Sequence, residues 1–189
     1  MNLYDMFKFS KTIDWKDGEI KLMRTFVSIA PTTLLAELQK NQISSLGFQK
    51  AYDLIYKSAK DGSYRWNSDF IKAHNFSDKR KIIDWQWKIV TFSGWGKWQI
   101  INIDPANNKL NAKFEDSPLA KAYKKSKYPV DIVATGFSAG GISAAFGKDL
   151  DCVETHCVAM GHPHCEIEVG PKEEIAEKRK ALWKKWGLI

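Results

Sequence analysis

Seven residues able to bind a metal or act as acids, bases or nucleophiles fall within the fourteen positions of CVETHCVAMGHPHC (152–165). They are all three cysteines of the chain, three of its four histidines and Glu154. Glu154 and Cys157 stand three apart, and Cys165 lies eight further on, beyond Gly161 and Pro163. A hairpin turned at that glycine and proline would bring its two arms within about 5 Å, so that ligands near its ends converge. Thiolates joined by a carboxylate or imidazole suit Zn²⁺, which takes four tetrahedral ligands in structural sites. No CxxC occurs, and the same spacing fits a hairpin with inert thiols packed as small core residues. Spacing leaves the two readings open. A catalytic cysteine would need a base and an orienting partner. Nothing around His156, His162 and His164 resembles a protease or oxidoreductase signature, and they read as turn residues.

The elements that must hold this segment follow from the periodicity. Asp17-Gly18 is a turn, and the alternating stretch 17–30 is a strand or hairpin arm. Pro31 opens a helix that Gly47 closes. Phe48, Ala51, Tyr52, Ile55 and Ala59 recur at helical spacing in a second helix, expected to stop at Asp61-Gly62, with a short third around 66–73. A broad-faced helix follows at 78–96. Strands at 97–104 and 109–116 flank the turn PANN, and a basic helix covers 118–127. The small-residue segment PVDIVATGFSAGGISAAFG is rich in glycine for a helix, so packing must hold it. Gly136 and Gly140, four apart, would let a neighbouring backbone approach closely. Two strands then surround Gly161–Pro163, and a basic amphipathic helix ends the chain, with Ile175, Leu182, Trp186 and Ile189 on one stripe. Helices first and mostly antiparallel strands after them indicate an α+β (α/β) fold, an antiparallel sheet packed with helices.

Composition bounds the function. A chain of 189 residues, 44% hydrophobic with eight tryptophans, reads as one folded domain. The net charge of +7 comes from lysines spread along the chain, without any nucleic-acid-binding signature, so a solvated surface is expected and no direct nucleic-acid contact. No apolar run approaches the ~20 residues of a membrane span. An odd number of cysteines confined to one segment does not fit a secreted disulfide framework. A soluble, cytoplasmic protein is expected.

The segment GFSAGGISAAFGKDLDCVETHCVAMGHPHCEIEV (136–169) resembles the 4-vinyl reductase domain family, whose module also forms the sensor domain of phenol- and toluene-responsive transcription activators. Gly136, Gly140, Ser143, Gly147, Glu154, Cys157, Gly161 and Cys165 match that pattern without a gap. The segments 17–47 and 113–123 are similar to the family more loosely. The resemblance implies a single domain over 1–189, with a motif core at 129–170 and a C-terminal helix at 171–189. It implies the fold shared with nitric-oxide-signalling and Golgi-transport domains, and a homodimer.

It also implies one structural zinc per chain, held by Glu154, Cys157 and Cys165. The family's fourth ligand is a cysteine where this chain has Asp131, which can ligate zinc as a carboxylate; Cys152 and His164 are alternatives. Relatives bind an aromatic effector in a buried pocket. Phe114 stands at the roof position, with Trp85, Trp87, Trp95, Trp98 and Phe137 as companions and His74, Tyr123 or Trp98 as a polar handle. The function implied is a small-molecule sensor or carrier without chemistry of its own. Two other readings stand beside it. One is reduction of a vinyl group on a tetrapyrrole-like substrate, although no dinucleotide fingerprint occurs. The other is an interaction module using the C-terminal helix.

Overall fold

The computed structural model describes residues 13–22 and 25–189, and the chain divides into two compact units between Pro31 and Thr32. The first holds an antiparallel three-stranded meander of β1 (Ile13–Lys16), β2 (Glu19–Leu22) and β3 (Thr25–Val27). The Asp17-Gly18 turn joins β1 to β2, with Gly18 at φ 82°, a conformation open to glycine.

The second unit, Thr32–Ile189, carries the core. Helices α1 (Thr32–Leu46), α2 (Phe48–His74) and α3 (Lys79–Phe92) lead to the hairpin of β4 (Lys97–Asp104) and β5 (Lys109–Glu115). The short helix α4 (Pro118–Tyr123) and the glycine-rich α5 (Ile132–Phe146) follow. Next come β6 (Leu150–His156), a 3₁₀ turn (Val158–Met160), β7 (Cys165–Pro171) and α6 (Lys172–Lys185). The strands of this unit form one antiparallel sheet in the order β4-β5-β7-β6. The fold is α+β, an antiparallel sheet packed with helices. Alternation puts Leu110, Ala112 and Phe114 of β5 and Cys165, Ile167 and Val169 of β7 on the buried side.

Helix α2 differs from expectation. It runs without a break through Asp61-Gly62 to His74 and includes the segment read as a third helix. Its buried stripe continues past Ala51, Tyr52 and Tyr56 through Ser63, Asn67 and Phe70. Hydrogen bonds offset the desolvation of the polar members. Ser63 donates to the Phe137 carbonyl at 2.7 Å, and Asn67 to the Ser63 carbonyl at 2.9 Å. Gln86 of α3 donates to Asn67 at 2.9 Å and to the Gly141 carbonyl at 3.0 Å, which joins three helices. A helix that clasps its neighbour along residues 56–67 has no reason to stop at an exposed glycine.

That neighbour is α5, and the contact is backbone to backbone. A Cβ on Gly136 would lie 2.4 Å from the Tyr56 carbonyl oxygen, and one on Gly140 would lie 2.2 Å from that of Lys60. The expected close approach is therefore made by α2. The same helix is also anchored to β6. Tyr56 Oη accepts the Cys152 N–H at 2.8 Å, and Lys60 pairs with Asp151 at 2.6 Å.

Two further boundaries move. The basic helix 118–127 ends at Tyr123, where Lys124 turns to φ 62°. In α6 the buried residues are Ile175 and Trp183, while Ile189 is 54% exposed, so the apolar stripe is centred one residue away from the expected set. Trp183 packs edge-on against Tyr52 and Phe48, at ring-centroid distances of 4.8 and 5.3 Å, which closes the unit's own core. Among the described residues no helix is long and apolar enough to cross a membrane.

The two kinds of glycine predict opposite mutational effects. Gly140→Ala is expected to destabilise by at least about 1–3 kcal/mol, because a helix backbone must move to admit the methyl group. Gly62→Ala meets nothing within 4 Å and is expected to stabilise by about 0.5–1 kcal/mol. Urea denaturation of both variants checks the pair, and equal effects would contradict the packing described.

Candidate functional site

Four side chains from three parts of the chain converge at the end of the β6–β7 hairpin. Asp131 precedes α5, Glu154 lies in β6, Cys157 follows β6, and Cys165 opens β7. One ligand atom of each lies within 4.8 Å of the others, and all four residues are buried. The geometry depends on local irregularity. Between Glu154 and His156 the β6–β7 register shifts, so Thr155 is an extra residue in the ladder. The 3₁₀ turn then folds back, and the Val158 N–H donates to Cys165 Sγ at 3.3 Å.

Asp131 is the N-cap of α5, yet its carboxylate does not cap the helix. It accepts hydrogen bonds from Ser117 Oγ at 2.6 Å and from Cys165 Sγ at 3.2 Å. Ser117 in turn caps α4, accepting the Ala120 N–H at 3.0 Å, and so braces Asp131 from a further element. The Asp131 backbone N–H donates to Glu154 Oε2 at 3.1 Å, while Glu154 Oε1 is buried without a partner. A carboxylate oxygen left in this way is costly unless something else bonds it.

The electrostatics agree. Burial pushes the Asp131 carboxyl up and the Glu154 carboxyl well above the usual range, the latter aided by Cys157 and Asp131. The Cys157 thiol is raised by its hydrogen bond to Cys165 and by burial. Cys165 is lowered by that same bond, but burial and the charges of Asp131 and Glu154 outweigh it, and the net shift is upward. None of the strongest influences on either carboxylate is a cation. Four acids packed together can be neutral only by keeping protons or by holding a positive ion. Two thiols and two carboxylates form a donor set that fits a divalent metal of the zinc class.

Cys152 stands apart. It faces α2, its N–H bonded to Tyr56 Oη, and its thiol is pushed well up by burial. His164 is turned to Glu166, with Nε2 3.3 Å from Oε2, and lies outside the four-residue group.

The aromatic candidates separate into three sets. Phe114 stacks on Trp98 at 4.0 Å and 12°, and Trp98 meets Trp87 at 5.0 Å. Trp95 belongs with them, because its carbonyl accepts the Trp98 indole N–H at 2.9 Å. Trp85 packs instead with Phe70 and Phe76, beside an exposed His74. Phe137 lies against Trp66 at 5.8 Å. Of the expected polar handles, Trp98 is spent on Trp95 and Tyr123 Oη accepts from Gln39 at 3.0 Å. The indole N–H of Trp87 is buried without an acceptor, and indole offers a donor only. Sequence reasoning named Trp87 as a lining residue and missed this role, which no spacing encodes.

The two features touch. Trp98 is the register partner of Phe114, and Phe114 that of Cys165, so stack and thiol occupy one rung across β4, β5 and β7.

Comparison with known proteins fits this geometry. The family model of the 4-vinyl reductase domain matches residues 110–171, and no curated protein matches the chain. The fold is similar to that of the phenol-responsive sensory domain of the transcription activator PoxR, solved with phenol. The TM-score is 0.81 at 22% identity, covering 95% of this chain and 96% of that one. A trafficking protein particle complex subunit 3 from Naegleria fowleri, covalently bound to palmitic acid, matches at TM-score 0.54 and 14% identity over 75% of this chain and 95% of its own. A vinyl-4-reductase family protein from Methanocaldococcus jannaschii matches at TM-score 0.50 and 16% identity over 76% and 82%. Residues 110–171, which contain all four members of the acidic and thiol group, are thus a 4-vinyl reductase domain, as the 136–169 resemblance implies.

Proposed function

We propose that this protein is a zinc-stapled binding module, a sensor or carrier for small hydrophobic or aromatic molecules that performs no chemistry on them. One observation carries the reading: the Trp98–Phe114–Cys165 rung, which sets a stacked aromatic pair against the buried thiol and carboxylate group. The fold it shares with a phenol-responsive sensory domain supports an aromatic ligand.

Asp131, Glu154, Cys157 and Cys165 would hold the zinc. The ion would supply a crosslink between the start of α5 and both arms of the hairpin. Glu154 Oε1 gains its missing partner in this arrangement. The N–H of Val158 is already aimed at Cys165 Sγ, the kind of support that orients thiolate ligands. On the ligand side, Trp98 and Phe114 offer a flat apolar wall, and the Trp87 indole N–H offers one donor. The ligand class is therefore an uncharged aromatic or apolar molecule with a single acceptor atom such as a hydroxyl oxygen.

Three results test this. Protein purified without added metal is expected to contain one zinc per chain by elemental analysis and native mass spectrometry, and Cys157→Ser is expected to lose it. Folded protein with almost no zinc would overturn the staple. Next, the raised acids must give up protons to bind metal, so zinc uptake is expected to release protons and tighten as pH rises. The sign for metal-free protein is the reverse. Acids whose folded pKa is raised favour folding below the ordinary carboxylate range, about pH 4, and this advantage is lost as pH rises through the folded values. Asp131→Asn should therefore flatten the fall of metal-free stability with pH, and thermal melts with unchanged slope would contradict that. Finally, phenol or a related apolar aromatic is expected to raise the melting temperature saturably, with Trp87→Phe weakening binding by about 3–10-fold. Absence of a saturable shift across such compounds would remove the ligand reading.

A further inference from the structure

The outer side of the same hairpin carries a second cluster with a different donor set. His156, His162 and His164 surround Glu166, and the three rings are near neighbours. The ring centroids of His156 and His162 are 5.0 Å apart and nearly perpendicular, and those of His156 and His164 are 6.0 Å apart. An imidazole nitrogen binds a metal such as zinc at about 2.0–2.1 Å, so two rings on one tetrahedral ion have centroids roughly 5 Å apart. The observed spacings match rings already gathered around one point.

Each ring also has one nitrogen tied to the protein and the other left over. His162 Nδ1 lies 3.1 Å from the Cys157 carbonyl oxygen and 3.1 Å from the Cys157 backbone nitrogen. Donation to that oxygen is the tautomer that leaves Nε2 with a free lone pair. His156 Nδ1 lies 3.2 Å from Thr155 Oγ1, whose own hydrogen goes to the Glu166 carbonyl at 3.3 Å. His156 Nδ1 is also 3.5 Å from Glu166 Oε2, and His164 Nε2 is 3.3 Å from the same oxygen. Metal-binding histidines characteristically donate the non-ligating N–H to a carboxylate or backbone carbonyl, which fixes the ring and frees the other nitrogen. All three rings have an acceptor of that kind in reach, with Glu166 as a shared carboxylate for two of them. The side chains of His156 and His164 are 43% and 30% exposed, so an ion has access and the rings can turn about their side-chain bonds.

We propose that His156 Nε2, His162 Nε2 and the His164 nitrogen not engaged by Glu166 form a second, solvent-open site for a borderline divalent cation such as zinc. Glu166 acts as a positioning residue, and the fourth coordination position is left to water or an external donor. The donor chemistry separates this site from the buried one. It has three neutral imidazoles in place of thiols, it is exposed, and it fills only when metal is supplied. The inference does not depend on the buried group holding zinc.

The test counts zinc in the full chain after equilibration with added Zn²⁺, comparing wild type with a variant carrying His156→Ala, His162→Ala and His164→Ala. Wild type is expected to take up one equivalent more than the variant, whatever the buried group retains, while Cys157→Ser keeps that extra equivalent. Glu166→Gln is expected to weaken it by about 10–100-fold. A second readout needs no variant. In the histidine ring ¹H–¹⁵N spectrum of wild type, added zinc should shift the signals of His156, His162 and His164 and leave His74, exposed at the end of α2, unmoved. Equal zinc uptake by wild type and the triple variant, or ring signals that do not move, would overturn the site.

Discussion

Helix α5 can lie on α2 at backbone distance because Gly136 and Gly140 have no side chains there, and much of the molecule depends on that approach. It fixes the height of α5 above the sheet and brings Asp131, at the start of the helix, down to the hairpin. It also sets the line along which Ser63, Asn67 and Gln86 exchange hydrogen bonds with one another and with the α5 backbone. Glycine costs a helix conformational entropy, and the return here is close packing that no larger residue permits.

The buried acids sit where three structural elements end. A helix start, a strand with an extra residue and a turn of 3₁₀ helix each contribute one or two side chains. Element ends leave backbone N–H groups without regular partners, and two of them bond ligand atoms, Asp131 N–H to Glu154 and Val158 N–H to Cys165. The irregularity of the chain and the chemistry of the cluster have the same origin. Within one hairpin, inward side chains offer thiols and carboxylates, and outward ones offer imidazoles around a carboxylate.

How much of this was legible depended on the kind of signal. The strand pair and its turn followed from Cys152–Glu154, Gly161 and Pro163, because alternation and turn residues are local. The Gly136/Gly140 spacing foretold a close neighbour but could not say which, since the partner is remote in sequence. The length of α2 was misread at Gly62. There the buried stripe continues through Ser63 and Asn67, whose burial is made tolerable by hydrogen bonds that reach other helices. Grouping Trp85 and Phe137 with Trp98 and Phe114 came from the same limit, because aromatic residues look alike until their neighbours are known. The four-residue group was named from residue types and family likeness together. Spacing alone left it undecided, and Asp131 lies 23 residues before Glu154.

Neighbouring strands in a sheet are held about 4.8 Å apart by their ladder of hydrogen bonds. Trp98, Phe114 and Cys165 therefore form a row of fixed pitch, each set by the backbone of the next. A row of that kind works as a ruler rather than a hinge. If something pressed on the Trp98 ring, the displacement would reach the sulfur undiminished, since no flexible joint lies between them to absorb it. Any disturbance at the aromatic wall is thus also a disturbance of the thiol, without a moving domain or a long relay of side chains.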